Sequence, residues 1–250
     1  METTFDSKLY KPIIITIDGT AASGKGTIVE GLQEKLDERY KTLDAGLMYR
    51  ALTWHFIKQN PMQPYQLEIE RDLENFLRRS VKIRFNEEGR IILNDRVFSK
   101  EEEKKELRTP ELGQIVSKYS SLDDVKKYLV SEQTNIISNR DYGWILDGRC
   151  MGTAIAPFAE AKMFLDAPLE VRAERRHKQF ENEGRTDTSQ DKVYTQLRQR
   201  DIDDWNQKLA PLKIPSGVIL YINSKDNSKD AALKMSYDFV KKAILKQEQI

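Results

Sequence analysis

The chain has 250 residues, 39% hydrophobic and 32% charged, which fits one domain carrying an insertion and excludes collagen-like, mucin-like and wholly disordered chains. Its 41 basic and 40 acidic residues leave a formal net charge of +1, so neither nucleic acid nor an anionic membrane is expected as the main partner. One cysteine, Cys150, two histidines, a polar opening segment and no apolar run near the roughly 18 residues of a membrane span lead to the expectation of a cytoplasmic protein without disulfides or structural zinc.

In chain order, residues 12–17 form a short β-branched run that ends at Asp18-Gly19, as a buried parallel strand does. Residues 24–39 turn helical, with Ile28, Leu32 and Leu36 on one face. An interruption begins at about Asn60 with the turn-prone pairs Asn60-Pro61 and Gln63-Pro64. Within it Val81, Ile83 and Phe85 alternate with polar residues, 86–89 reads as a turn, and Ile91 and Leu93 alternate again. This predicts an antiparallel hairpin extended by Val97-Phe98. The charge run 100–106 reads as a solvated face. Short apolar runs return at 144–147, 163–166 and 218–222, each beside a helical stretch. From about Asp230 a helix places Met235, Phe239, Val240, Ala243 and Ile244 on one stripe. Strands alternating with helices at both ends predict an α/β sheet covered by helices. The expected division is a core of 12–60 and 132–250 around an insertion of 61–131.

The sharpest motif is GTAASGKGT, residues 19–27, between the first strand and the first helix. Gly19, Gly24 and Lys25 match the spacing G-x-x-x-x-G-K, in which backbone N–H groups converge on phosphate oxygens at a helix N-terminus and the lysine meets the outer phosphates. Position 26 is glycine where a hydroxyl commonly meets magnesium, and the hydroxyl comes at Thr27. Magnesium is therefore expected to sit mostly on phosphates and water, with no direct protein ligand.

Three further clusters, LDAGLMYRA at 43–51, ILDGRCMGT at 145–153 and RQRDIDDWNQKLAPL at 198–212, follow the loop in an order that resembles the cytidylate kinase family of P-loop nucleoside-monophosphate kinases over about residues 12–245. The resemblance implies a five-stranded parallel sheet with flanking helices, a small α+β insertion that binds the monophosphate, and a short lid at about 179–191. It implies transfer of the ATP γ-phosphoryl group to CMP or dCMP, with magnesium, by a monomer; no nucleic acid or membrane partner is expected. ATP would be held by Gly19, Ala22, Ser23, Gly24, Lys25, Gly26, Thr27 and Arg172. The monophosphate would meet Asp44, Tyr49, Arg50, Ser117, Lys126, Arg149, Cys150, Arg200 and Asp204. Lys25, Arg50, Asp147, Arg149, Arg176 and Arg200 would carry catalysis, by positioning and by neutralising the transferred group. Arg175 reads as a surface pair, His55 and His177 as structural, and Trp54 and Phe56 as core.

The chain departs from the family where the base is read. Cys150 stands where the family has an aspartate that accepts from the cytosine amino group, Lys126 where an arginine donates, Ala45 where a serine or threonine is usual, and Gln207 where a further arginine is usual. A thiol is a weak acceptor and cannot reproduce a carboxylate. Two other readings stay open on these residues: a monophosphate kinase of altered base preference, and a degenerate kinase that serves as a nucleotide-binding regulator.

Overall fold

The computed structural model describes residues 5–59, 73–86, 89–182, 184, 188–222 and 229–247. The strands are β1 (Ile14–Gly19), β2 (Tyr40–Asp44), β3 (Ile83–Phe85), β4 (Ile91–Leu93), β5 (Arg96–Val97), β6 (Gly143–Asp147), β7 (Ala161–Asp166) and β8 (Ile219–Ile222). The helices are α1 (Lys25–Lys35), α2 (Ala45–Gln59), α3 (Leu73–Ser80), α4 (Lys100–Glu102), α5 (Pro110–Ser120), α6 (Asp123–Ile137), α7 (Leu169–Asn182), α8 (Gln190–Asn206) and α9 (Lys229–Gln247). They fall into two compact units, one of Met1–Thr42, Arg140–Gln207 and Pro211–Ile250, the other of Leu43–Asn139 and Lys208–Ala210.

The first unit is built on a sheet of order β2-β6-β1-β7-β8. β1 lies parallel to β6 and β7, with Ile17 opposite both Asp147 and Met163, and β7 lies parallel to β8. β1 is buried along its whole length, which is why its sequence reads as a continuous β-branched run rather than an alternating one. On one face Ile13, Ile15 and Ile17 pack with Ile28 and Leu32 of α1 and with Val240 and Ile244 of α9. Each such side chain contributes about 1.5–3 kcal/mol by leaving water. α1 stops at Lys35, short of the expected residue 39, because Leu36 is extended and Asp37 is claimed by the Ser7 hydroxyl and by Arg39. The expected α9 stripe packs on the core at Phe239, Val240, Ala243 and Ile244, and departs from expectation at Met235. Ala232, Ser236, Val240 and Ile244 form the buried i,i+4 row, Phe239 and Ala243 pack at its side, and Met235 is exposed.

In the second unit β3, β4 and β5 form an antiparallel three-stranded sheet. Asn94, at φ 54°, takes the left-handed position of the tight turn between β4 and β5. α2 belongs here, with Phe56 stacked on Tyr119 of α5 at 6.1 Å. This unit thus begins at Leu43, whereas the turn signals at 60–64 placed the start of an insertion at 61; residues 61–72 lie outside the described residues. In the charge run Lys100, Glu101, Lys104 and Lys105 are exposed. Glu102 and Glu106 instead pair with Arg96, which lies over the rings of Trp54 and Phe98. Of the expected lid, 179–182 lie in α7 and 190–191 in α8, while 183 and 185–187 lie outside the described residues. Among the described residues no helix is long and apolar enough to cross a membrane.

Candidate active site

The loop after β1 is shaped by steric limits. Gly19 has φ 148°, and a Cβ there would stand 1.9 Å from the Leu165 carbonyl oxygen of β7. Only glycine lets the two strands approach so closely. The Thr20 hydroxyl donates to Asp166 at 2.7 Å, which ties the loop to the end of β7. Ala22 at φ 60° and Gly24 at φ 101° then curl the chain into α1. Gly24 is the N-cap and offers no side-chain acceptor, so the first N–H groups of α1 are left for an anion. Ser23 is buried, Thr27 half-buried, and Gly26 faces open space.

Lys25 folds back over this loop and donates to the carbonyls of Gly19 at 3.1 Å and Thr20 at 2.8 Å. Burial, and next the Arg149 charge, push its pKa down to about 7, with Arg200 adding to the effect and Asp147 and Asp18 opposing it. Those names describe the lysine's surroundings. Asp147 ends β6, and Arg149 follows in the next turn, its Nε donating to Asp204 Oδ2 at 2.7 Å. Arg200, one turn earlier on α8, approaches the same oxygen at 4.0 Å. Burial works against the Arg149 charge, but Asp204 outweighs it and holds the pKa raised. The first unit therefore brings Lys25, Asp147, Arg149, Arg200 and Asp204 into one region.

Arg172 and Arg176 lie on α7. Arg172 is buried, and each of its three nitrogens bonds within the protein: Nε to the Ala167 carbonyl at 2.7 Å, Nη1 to the Ala21 carbonyl at 3.2 Å, and Nη2 to Asp201 at 2.7 Å. Arg176 donates to Gln179 and lies over the Phe180 ring at 4.6 Å. Cys150, directly after Arg149, is buried and forms no disulfide. In the second unit Asp44 caps α2 through the Leu47 N–H and pairs with Arg108 at 2.8 Å. Arg50, next to the half-buried Tyr49, donates to the Leu107 carbonyl at 2.9 Å. Ser117 is exposed and Lys126 buried.

Two residues escaped the sequence reading. Arg108 carries no motif. Asp18 had a signal, a carboxylate closing an otherwise apolar strand, which burial leaves unable to stand without donors. It accepts the Met151 and Gly152 N–H groups, both at 2.7 Å. Burial pushes its pKa up to about 6, against the pull of those two bonds.

A family model described as cytidylate kinase matches residues 15–241. The chain belongs to the cytidylate kinase family. Relatives named cytidylate kinase include one from Carboxydothermus hydrogenoformans, 36% identical over 82% of this chain and 87% of its own. One from Clostridium botulinum is 38% identical over 83% and 88%. Another, from Caldanaerobacter subterraneus, is 34% identical over 91% and 94%. Among solved structures, an uncharacterized protein from Eubacterium ventriosum superposes with a TM-score of 0.50 at 11% identity, over 93% of this chain and 99% of that one, a likeness of fold.

The donor set also bears on the magnesium that the family implies. Among the described residues no three acidic, histidine or cysteine side chains group to hold an ion. Asp147, beside Lys25, and the Thr27 hydroxyl would suit an ion that keeps its waters and rides on nucleotide phosphates, whereas Asp18 has both oxygens on backbone N–H groups.

Proposed function

We propose that this chain transfers the γ-phosphoryl group of ATP to CMP or dCMP. The observation that carries the reading is the phosphate loop with Lys25 beside Asp147 and Arg149, in a chain of this family. An oxygen of the acceptor phosphate attacks the γ-phosphorus, and the bond to the β–γ bridging oxygen breaks to leave ADP. Such transfer asks for alignment and charge neutralisation rather than covalent help from the protein. The amides of Gly19, Ala22, Ser23, Gly24, Gly26 and Thr27 take the ATP phosphates, and Lys25 turns from the Gly19 and Thr20 carbonyls to the outer ones. Arg149, Arg200 and Arg50 are the acceptor-phosphate ligands, since guanidinium grips phosphate oxygens in pairs. Asp204 fixes Arg149 and stands ready for a ribose hydroxyl. When bound with ATP, magnesium would supply further charge neutralisation, and Asp147 and Thr27 are the residues that would help to hold it.

Arg176 is assigned to the transferred phosphates. Arg172 supports the loop through the Ala21 carbonyl. On the base side, Tyr49, Ser117, Lys126 and Cys150 are the assigned contacts, with Asp44 shaping the start of α2. A lost direct base contact removes roughly 1–3 kcal/mol of discrimination, so a weaker preference for cytosine over uracil is expected than a carboxylate at 150 would give. The cytoplasm, where ATP and monophosphates meet, is the compartment this reading implies, and a monomer suffices for it.

The test is coupled ADP release with magnesium and ATP across CMP, dCMP, UMP, AMP, GMP and dTMP. A peak for CMP or dCMP is expected. A peak for another base, or ATP binding without any transfer, refutes the reading.

A further inference from the structure

β1 and the turn after β6 are joined by one buried carboxylate. Asp18 is fully buried and accepts from two successive backbone groups, the N–H of Met151 and the N–H of Gly152, each at 2.7 Å and each to a different oxygen. These N–H groups open the short helical turn Met151–Ile155 that directly follows Arg149 and Cys150, 133 and 134 residues further along the chain than Asp18. The turn is pressed to backbone distance against β1. A Cβ on Gly152 would meet the Thr16 hydroxyl at 2.8 Å, Pro215 at 2.9 Å and Asp18 Oδ2 at 3.3 Å. Thr16 Oγ1 itself is buried without a hydrogen-bond partner among the described residues, so it offers the turn no alternative anchor. At the other end of the turn Gly148 donates to the Ile17 carbonyl at 3.2 Å. Arg149 and Cys150 therefore sit on a short arch pinned on both sides to residues 17 and 18. Immediately after Asp18 the chain enters the phosphate loop.

We propose that Asp18 is a positioning residue for phosphoryl transfer: by holding the Met151 and Gly152 N–H groups it fixes the arch that carries Arg149, and so aligns the Arg149 guanidinium, the acceptor-phosphate ligand, with the ATP loop. The inference rests on the reading of Arg149 as an acceptor-phosphate ligand. Asparagine at 18 keeps the shape but has one acceptor oxygen, and its NH2 group faces an N–H donor, so Asp18→Asn loses one bond and gains a clash of donors. A charge-assisted bond of this kind corresponds to a change of about 10–100-fold in the population of an open arch.

Cys150, the chain's only cysteine and buried within the arch, reports that opening without any catalysis. The experiment compares wild type, Asp18→Asn and Arg149→Ala, all without nucleotide for labelling. Thiol alkylation is followed against urea, and steady-state kinetics are run with CMP and ATP varied separately. Labelling of Asp18→Asn is expected to quicken at least about tenfold with no dependence on urea, the mark of local rather than global opening. Its kcat/KM for CMP falls about as far while the KM for ATP stays within about threefold. Labelling that quickens only along the global unfolding transition, or an equal loss towards both substrates, makes Asp18 merely structural and overturns the proposal. If Asp18→Asn does not fold, amide hydrogen exchange in the wild type decides, since Met151 and Gly152 N–H groups that exchange like exposed loop amides refute the clamp. An unaltered Arg149→Ala overturns the proposed role of Arg149 and this inference with it. An impaired Arg149→Ala beside an unaltered Asp18→Asn overturns the inference alone.

Discussion

Lys25 supplies a proton-linked signature of nucleotide binding. Without ligand its ammonium is buried, faces Arg149 and Arg200, and hydrogen-bonds two neutral carbonyls, which leaves a pKa of about 7 against the ordinary 10.5. ATP brings several negative charges to that ammonium and restores its preference for the proton. At pH 8 the free lysine is mostly neutral and the bound one charged, so binding takes up most of a proton, and ATP affinity weakens by up to about tenfold per pH unit above 7. Calorimetry of ATP binding in buffers of different ionisation heat reads the uptake directly, with Lys25→Met as the control that removes the titrating group. The same shift acts on stability with a definite sign. The unfolded lysine holds its proton between pH 7 and 10.5 while the folded one has lost it, so the Lys25 contribution to stability rises with pH across that window. Equal proton uptake by wild type and Lys25→Met at pH 8, together with parallel affinities from pH 7 to 9, would refute the reasoning.

Asp18 titrates in the opposite sense. Its folded pKa of about 6 lies above the ordinary 3.8, so its contribution is fully present below pH 3.8 and is lost as pH rises through 6, by about 3 kcal/mol; urea unfolding of wild type minus Asp18→Asn across pH 4–7 should show that slope. Gly19→Ala drives a Cβ into the Leu165 carbonyl, a backbone clash expected to cost about 3 kcal/mol or more, and an unshifted melting temperature would contradict it. Arg172→Ala strands the Asp201 carboxylate, whose Oδ1 is already buried without a partner among the described residues, at about 3–5 kcal/mol; Arg172→Ala/Asp201→Ala should recover part of the loss in chemical denaturation without ATP. Cys150→Asp should raise the ratio of kcat/KM for CMP over UMP by roughly tenfold, and an unchanged ratio removes Cys150 from base reading.

What was legible in the sequence followed from local rules, and what was not depended on distant partners. The β1 run, the glycines at 19 and 24 and the lysine after them are fixed by burial, φ and anion geometry within a dozen residues, so their pattern is visible in the sequence alone. The hairpin at 83–93 was equally visible, because alternation and a turn are local. Arg172 was not. Its i,i+4 spacing with Arg176, together with the family resemblance, pointed to ATP, and neither foretold that its neighbours Val171 and Ala173 are buried or that its guanidinium reaches Asp201 on α8. Beside it Ala21, Ala173, Phe180 and Val193 form a small apolar cluster between the phosphate loop, α7 and α8. Only the packing of those three segments buries the arginine.

Asp18 and Asp204 bear on how the cations beside the phosphate loop are held before any ligand arrives. Lys25, Arg149 and Arg200 share one region of the first unit with Asp18, Asp147 and Asp204. Burial first, and then the neighbouring Arg149 and Arg200 charges, lower the Lys25 pKa. The carboxylates offset the repulsion unequally. Asp204 bonds Arg149 directly and keeps it charged, whereas Asp18 commits both oxygens to backbone N–H groups and reaches Lys25 only through space. Arginine, which does not give up its proton, is thus the fixed part of the site, and Lys25 is the part whose charge waits on the nucleotide.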